Sequence, residues 1–262
     1  MTLTLPLATI ELVMLTAVRI AAFIVIAPPF AHKAVPGQVK VMLSLGLGIL
    51  VAPRAAAAAE EAGNPVGGAI ASGTATFLGA LLLQVLIGLA LGFLVFLVFS
   101  AVQAAGNLID LFGGFQMAAA FDPMSLTNGA QFARLYQLTA MVLLFASDAY
   151  QVVIAGLLRT FEALPLGTGI DLAVLGETLT SGFTEMFVAA LQVAGPLIAV
   201  LFLADAGLGL LTRVAPALNA FALGFPLKIL LTVTLGASAY LALPHIVATL
   251  TDTAVTQMGV LR

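Results

Sequence analysis

Residues 69–103 read AIASGTATFLGALLLQVLIGLALGFLVFLVFSAVQ, and no charged residue occurs between Glu61 and Asp110. An apolar run of this length is a helix in or against a bilayer. As one straight helix it would be roughly 50 Å long at ~1.5 Å per residue, whereas a hydrocarbon core is ~30 Å thick. The helix therefore either breaks or continues past the bilayer while buried against other protein. Gly73, Gly79, Gly88 and Gly92 punctuate it. Gly88 and Gly92 stand four apart, a spacing that lets two helix backbones approach closely.

The rest of the chain agrees. Of 262 residues, 62% are hydrophobic and only 8% charged, against roughly 25% charged in a soluble domain. The surface must face something other than water. The net charge of −3 and the lack of a basic cluster argue against nucleic-acid binding. There is no cysteine, hence no disulfide and no thiolate metal site. The first basic residue is Arg19, deep in an apolar stretch, so the N-terminus lacks the positive start of a cleavable signal and the first helix is expected to be retained.

Outward from the central run, the pattern predicts an all-α integral membrane protein of about six long hydrophobic helices, arranged in hairpins and broken by Gly and Pro. The first spans about 5–30 and ends at Pro28-Pro29, since proline lacks the N–H and fixes φ. A turn with His32, Lys33, Pro36 and Lys40 leads to the second, about 41–59. A polar, glycine-rich stretch is expected over 104–131. The fourth helix covers about 132–158 with Asp148 inside. An acidic connection over 161–181 precedes the fifth, about 182–211, and the sixth, about 218–243. Pro244 and His245 then open a short apolar piece and a polar tail. Five basic residues in odd loops (Lys33, Lys40, Arg134, Arg213, Lys228) against three elsewhere (Arg54, Arg159, Arg262) favour both termini on the periplasmic side.

Two segments carry most information. The first runs Gly106-Asn-Leu-Ile-Asp110-Leu-Phe-Gly113-Gly114-Phe115-Gln116-Met117 and on to Phe121-Asp122-Pro123-Met124. Paired glycines permit unusual backbone angles, and Asp-Pro starts turns. With Phe112, Phe115, Met117, Phe121 and Met124 around them, the segment is either a compressible seal, since methionine adapts its shape, or a tight loop anchored by aromatics. The second segment lies between Arg213 and Lys228 and holds Pro216, Gly224 and Pro226, which are expected to break the chain between helices five and six. Its charges either snorkel to headgroups or pair with acids on a partner. Glu11, Asp110, Asp148, Glu185 and Asp205 lie in or beside apolar stretches, where ionisable groups face a cavity, a partner or the water boundary. Glu11 and Arg19, like Asp205 and Arg213, are eight apart and share a helix face.

Catalytic chemistry is not indicated. His32 and His245 are isolated, and no His-Glu-x-x-His, Gly-x-Ser-x-Gly or phosphate-cradling Gly-x-x-x-x-Gly-Lys motif occurs. Asp110 and Asp122 mimic an intramembrane aspartyl pair without a supporting pattern around them. No enzyme activity, cofactor or metal is expected.

The order of these features resembles the FliR/SctT family of the type III secretion export apparatus, over nearly the whole chain. The likeness rests on Arg19, the Pro28-Pro29-Phe30 end of the first span, and the Gly106…Asp110…Gly114-Phe115 stretch followed by Phe121-Asp122-Pro123. It rests most on Arg213-Val-Ala-Pro216-Ala-Leu-Asn219-Ala-Phe221-Ala-Leu-Gly224-Phe225-Pro226-Leu-Lys228, similar to the family's Arg-x-Ala-Pro-Gln-Leu-Asn-x-Phe…Gly-Phe-Pro block. Ala217 departs from the family's glutamine, and Ala146-Ser147-Asp148-Ala149-Tyr150 from an Asn-Gly-His-like stretch.

The resemblance implies a core subunit of a flagellar export gate in the bacterial inner membrane, at the flagellar basal body. It implies assembly with FliP- and FliQ-like subunits into a helical gate, FlhB- and FlhA-like export components nearby, and unfolded proteins as cargo. It implies a single membrane domain over 1–262, with 1–181 FliP-like and 182–262 a FliQ-like hairpin and tail. The loop Gly113, Gly114, Phe115, Gln116, Met117, with Phe121, would plug the closed pore. Gly106, Asp110, Asp122, Pro123, Arg213, Pro216, Asn219, Phe221, Gly224, Phe225, Pro226 and Lys228 would serve turns and assembly. The rival readings are the equivalent subunit of a virulence injectisome, a stand-alone secondary transporter, for which no inverted repeat is visible, and an intramembrane hydrolase.

Overall fold

A computed structural model describes residues 6–64, 73–116, 131–215 and 220–260. Among them lie eight α-helices and no strand: α1 Leu7–Ile26, α2 Gly37–Glu61, α3 Thr74–Gly113, α4 Gln131–Ala146, α5 Ala149–Ala163, α6 Leu172–Val214, α7 Ala220–Leu241 and α8 Leu243–Val260. Five are long and apolar enough to cross a membrane, or six if α4 and α5 count as one broken span. The chain is an all-α membrane protein.

The central run does not break. α3 is one helix of 40 residues, about 60 Å long, and it ends at Gly113 rather than near Gln103. Ile87, Leu91, Leu94, Val98, Val102, Ala105 and Ile109 form its buried stripe, stepping by three and four residues as a helix face requires. The fourth expected span is instead two helices. Asp148, which was expected inside it, holds a left-handed φ of 56° between α4 and α5. Pro226 was expected to break the chain but lies within α7, and Pro53 and Pro196 lie within α2 and α6. α6 begins at Leu172 rather than Gly182, after Asp171 Oδ1 accepts from the Ala173 N–H at 2.8 Å, a cap for the first turn.

The chain forms two compact units interleaved in sequence. One comprises 1–98, 148–183 and 250–262; the other comprises 99–147 and 184–249. In the first unit, glycines seat helices on α1. A Cβ on Gly48 of α2 would stand 2.9 Å from Ala17, and a Cβ on Gly88 of α3 would collide with the Arg19 carbonyl and the Ala22 methyl. One on Gly92 would stand 2.9 Å from the Phe23 carbonyl oxygen. The Gly88–Gly92 spacing thus serves a helix contact within this chain.

Arg19 is fully buried at that contact. Its Nε donates to Gln84 Oε1 of α3 at 2.7 Å, and its Nη1 to the carbonyls of Leu164 at 2.9 Å and Thr160 at 3.4 Å. The guanidinium lies 4.3 Å from the centre of the Phe161 ring. The last carbonyls of a helix carry partial negative charge and lack intrahelical donors. Arg19 supplies both charge and donors to the end of α5. This satisfies most of a cation that would otherwise be costly to bury. Arg54 and Glu162 add an exposed ion pair between α2 and α5, worth little in such a setting.

Candidate functional site

The second unit is organised around the end of α3. Gly114 takes a φ of 82°, open to glycine because it has no Cβ. The Phe115 N–H then donates to the Asp110 carbonyl at 3.0 Å and the Gly114 N–H to the Leu111 carbonyl at 3.4 Å. This crossed pair is the Schellman closure, which satisfies carbonyls left open where a helix stops. Gly113 remains helical. The glycine pair therefore ends a helix and does not form a free hinge among the described residues.

Asp110 has a second task. Its Oδ1 accepts from the Phe132 N–H and its Oδ2 from the Ala133 N–H, both at 2.9 Å. These are among the open donors of the first turn of α4, where a carboxylate also meets the positive end of the helix dipole. One residue thus closes α3 with its carbonyl and caps α4 with its side chain. Gly106, one turn earlier, brings the helices close enough: a Cβ there would collide with Ala133. The Phe115 ring meets Phe132 edge-on, centroids 5.3 Å apart, and Phe132 meets Tyr136 at 6.2 Å.

α7 backs this junction along one face. A Cβ on Gly113 would stand 2.7 Å from Thr232 Oγ1, and one on Gly114 would stand 3.3 Å from the Phe225 ring. A Cβ on Gly236 would stand 2.8 Å from the Phe132 ring. Further along, Thr139 Oγ1 donates to Tyr240 Oη at 3.2 Å. Residues 225, 232, 236 and 240 are spaced by seven and four, so they share a stripe. Three helices converge where the α3–α4 connection leaves and returns.

The two segments singled out from sequence therefore meet, through Gly114 with Phe225 and Gly113 with Thr232. Gly106, Asp110, Gly113, Gly114 and Phe115 gather at the junction, with Gln116 exposed just beyond. Gly224 packs near Leu208 of α6. Lys228 pairs with Asp205 at 2.7 Å, so its acid belongs to this chain. Arg213 is exposed and Pro226 lies on the exposed side of α7. Met117, Phe121, Asp122, Pro123, Pro216 and Asn219 lie outside the described residues, as does the Phe221 side chain. Phe132, Ala133, Thr232 and Gly236 were not foreseen. Gly236 and Thr232 carry no sequence signal beyond small size. Ala133 acts through its backbone, which no side-chain pattern announces. Among the described residues, no group of three or more His, Asp or Glu could hold a metal ion.

Comparison with known proteins gives a family. The family model of the bacterial export proteins, family 1, matches residues 10–254. The flagellar biosynthetic protein FliR of Escherichia coli K12 is 34% identical over 230 residues, covering 88% of this chain and 83% of its own length. The protein of the same name from Bacillus subtilis 168 is 27% identical over 82% of this chain and 81% of its own. The Yop proteins translocation protein T of Yersinia pestis is 28% identical, over 55% of this chain and 56% of its own.

Proposed function

The chain belongs to the bacterial export proteins, family 1, and we propose that it is the FliR-type core subunit of a flagellar type III protein-export gate. The observation that carries this is the extent of the match: four flagellar relatives align over more than four-fifths of the chain and a fifth over 58%, whereas the Yersinia translocation protein aligns over 55%. That difference favours flagellar export over the injectisome.

In this reading the protein sits in the bacterial inner membrane at the flagellar basal body. It assembles with FliP- and FliQ-like subunits, near FlhB- and FlhA-like components. Residues 1–181 act as the FliP-like part and 182–262 as the FliQ-like hairpin and tail. The long exposed apolar faces of α6 and α7, with Phe187, Leu203 and Leu230 among them, are suited to lipid or to such partner helices. Unfolded proteins pass through the assembly. The loop from Gly113 through Met117, with Phe121, obstructs the passage at rest, and its part beyond Phe115 yields to cargo. The support for this is positional: Gly113, Gly114 and Phe115 stand where the α3–α4 connection leaves a three-helix junction. The chain contributes a gate and no covalent chemistry; energy comes from elsewhere in the machine.

Deletion of the coding sequence tests the proposal. Cells should lose flagellar filaments and the export of filament protein, and regain both with the wild-type chain. Filaments built normally in its absence would refute the flagellar role. Loss of effector secretion with intact filaments would assign the injectisome.

A further inference from the structure

We infer that Asp110 is the positioning residue of the gate: it holds the two ends of the α3–α4 connection together, and it does so both at rest and while protein passes. The inference rests on the export reading above and adds a fixed part to it.

The connection leaves after Phe115-Gln116 and returns at Gln131. Both ends are tied to Asp110, one through its carbonyl to the Phe115 N–H at 3.0 Å, the other through its carboxylate to the Phe132 and Ala133 N–H groups at 2.9 Å. Asp110 is fully buried. In a buried setting these are charge-assisted bonds, stronger than neutral ones, and the donors they satisfy would be costly to leave open. Gly106 against Ala133 and Gly113 against Thr232 leave no room for the base to shear, because in each case even a methyl group would overlap its neighbour. A packed contact of this kind has discrete arrangements and does not deform gradually. Thr232 lies on α7, so the base is braced from a third helix. A seal needs fixed stems as much as a yielding centre, and this junction supplies the stems.

The test uses the whole export complex in cells. Asp110→Ala removes both acceptors; Asp110→Asn keeps one side-chain oxygen, and asparagine caps helices nearly as well as aspartate. Resting ion leak, export and recovery of partner subunits are measured for each. The Ala variant should assemble and leak roughly fivefold more, the population shift that loss of one helix cap produces. The Asn variant, which keeps one acceptor but leaves one N–H open and the other bond uncharged, should fall between wild type and the Ala variant. An Ala variant that assembles with wild-type leak overturns the inference. If the Ala variant does not assemble, hydrogen exchange on the wild-type complex decides. The Phe132 and Ala133 amides should be equally protected at rest and with an export substrate jammed in passage by a fused domain that cannot unfold. Protection lost in the jammed complex means the base opens with the gate, and the inference fails. Failure of the export reading would look different: the wild-type chain itself would recover no partners and its deletion would not affect export.

Discussion

Gly88 of α3 lies so close to Arg19 of α1 that a Cβ on the glycine would overlap the arginine's carbonyl oxygen. Among the described residues, the contact joins the most apolar helix to the most deeply buried cation. It fixes where the guanidinium can reach, and hence which carbonyls of α5 it can serve.

Gly88→Ala should destabilise the protein by about 1–3 kcal/mol, the range for overpacking a close contact. Gly79→Ala is the control, since a Cβ there meets nothing within 4 Å, and should be neutral or stabilising by up to about 1 kcal/mol. Thermal unfolding in detergent separates them. Equal effects would mean that the Gly88–Gly92 spacing does not act through close packing.

Arg19→Met should cost about 3 kcal/mol, because it strands the Gln84 amide oxygen and the Leu164 carbonyl in the interior. Arg19→Lys should recover only part, since an ammonium lacks the guanidinium fork and its stacking on Phe161. Adding Gln84→Leu to Arg19→Met should restore stability in part by removing one stranded group. Denaturation of the three variants gives the order.

Gly113→Ala and Thr232→Ala should be strongly non-additive. Alanine at 113 meets Thr232 Oγ1 and Cγ2 at 2.7 and 2.9 Å, and Thr232→Ala removes both atoms. The double variant should be more stable than Gly113→Ala alone, with a coupling of roughly 1–2 kcal/mol. Additive effects in a double-mutant cycle would show that α7 does not brace the end of α3.

Gly114→Ala should cost about 1 kcal/mol through its φ of 82°, and Gly114→Asn less, since asparagine tolerates the left-handed region. If export leak follows the same order as stability, the helix ending and the seal are mechanically linked. A leaky variant with unchanged stability would separate them.

Much of this was readable from residues. Uninterrupted apolar length announced the helices, and the Gly88–Gly92 spacing announced a close contact. The Gly106–Phe115 and Arg213–Lys228 segments both stand out in the sequence by their glycines, prolines and charges. What was not readable depends on tertiary partners. Gly106 and Asp110 look like loop residues, yet both lie inside α3, because one makes room for Ala133 and the other caps a different helix. Asp148 breaks the fourth span with neither glycine nor proline at the break; it adopts a left-handed φ itself. Arg19 looked like part of a polar stripe with Glu11. Its partners, Gln84 and the end of α5, are 65 or more residues away in sequence, beyond the reach of any local pattern.

The central claim is that this chain is a subunit of a flagellar export gate, and one measurement addresses it directly. The tagged protein is isolated from native membranes in mild detergent and its companions are identified by mass spectrometry. The account predicts recovery of FliP- and FliQ-like proteins encoded with flagellar genes. A chain that emerges clean and alone, from cells that are building flagella, would contradict it.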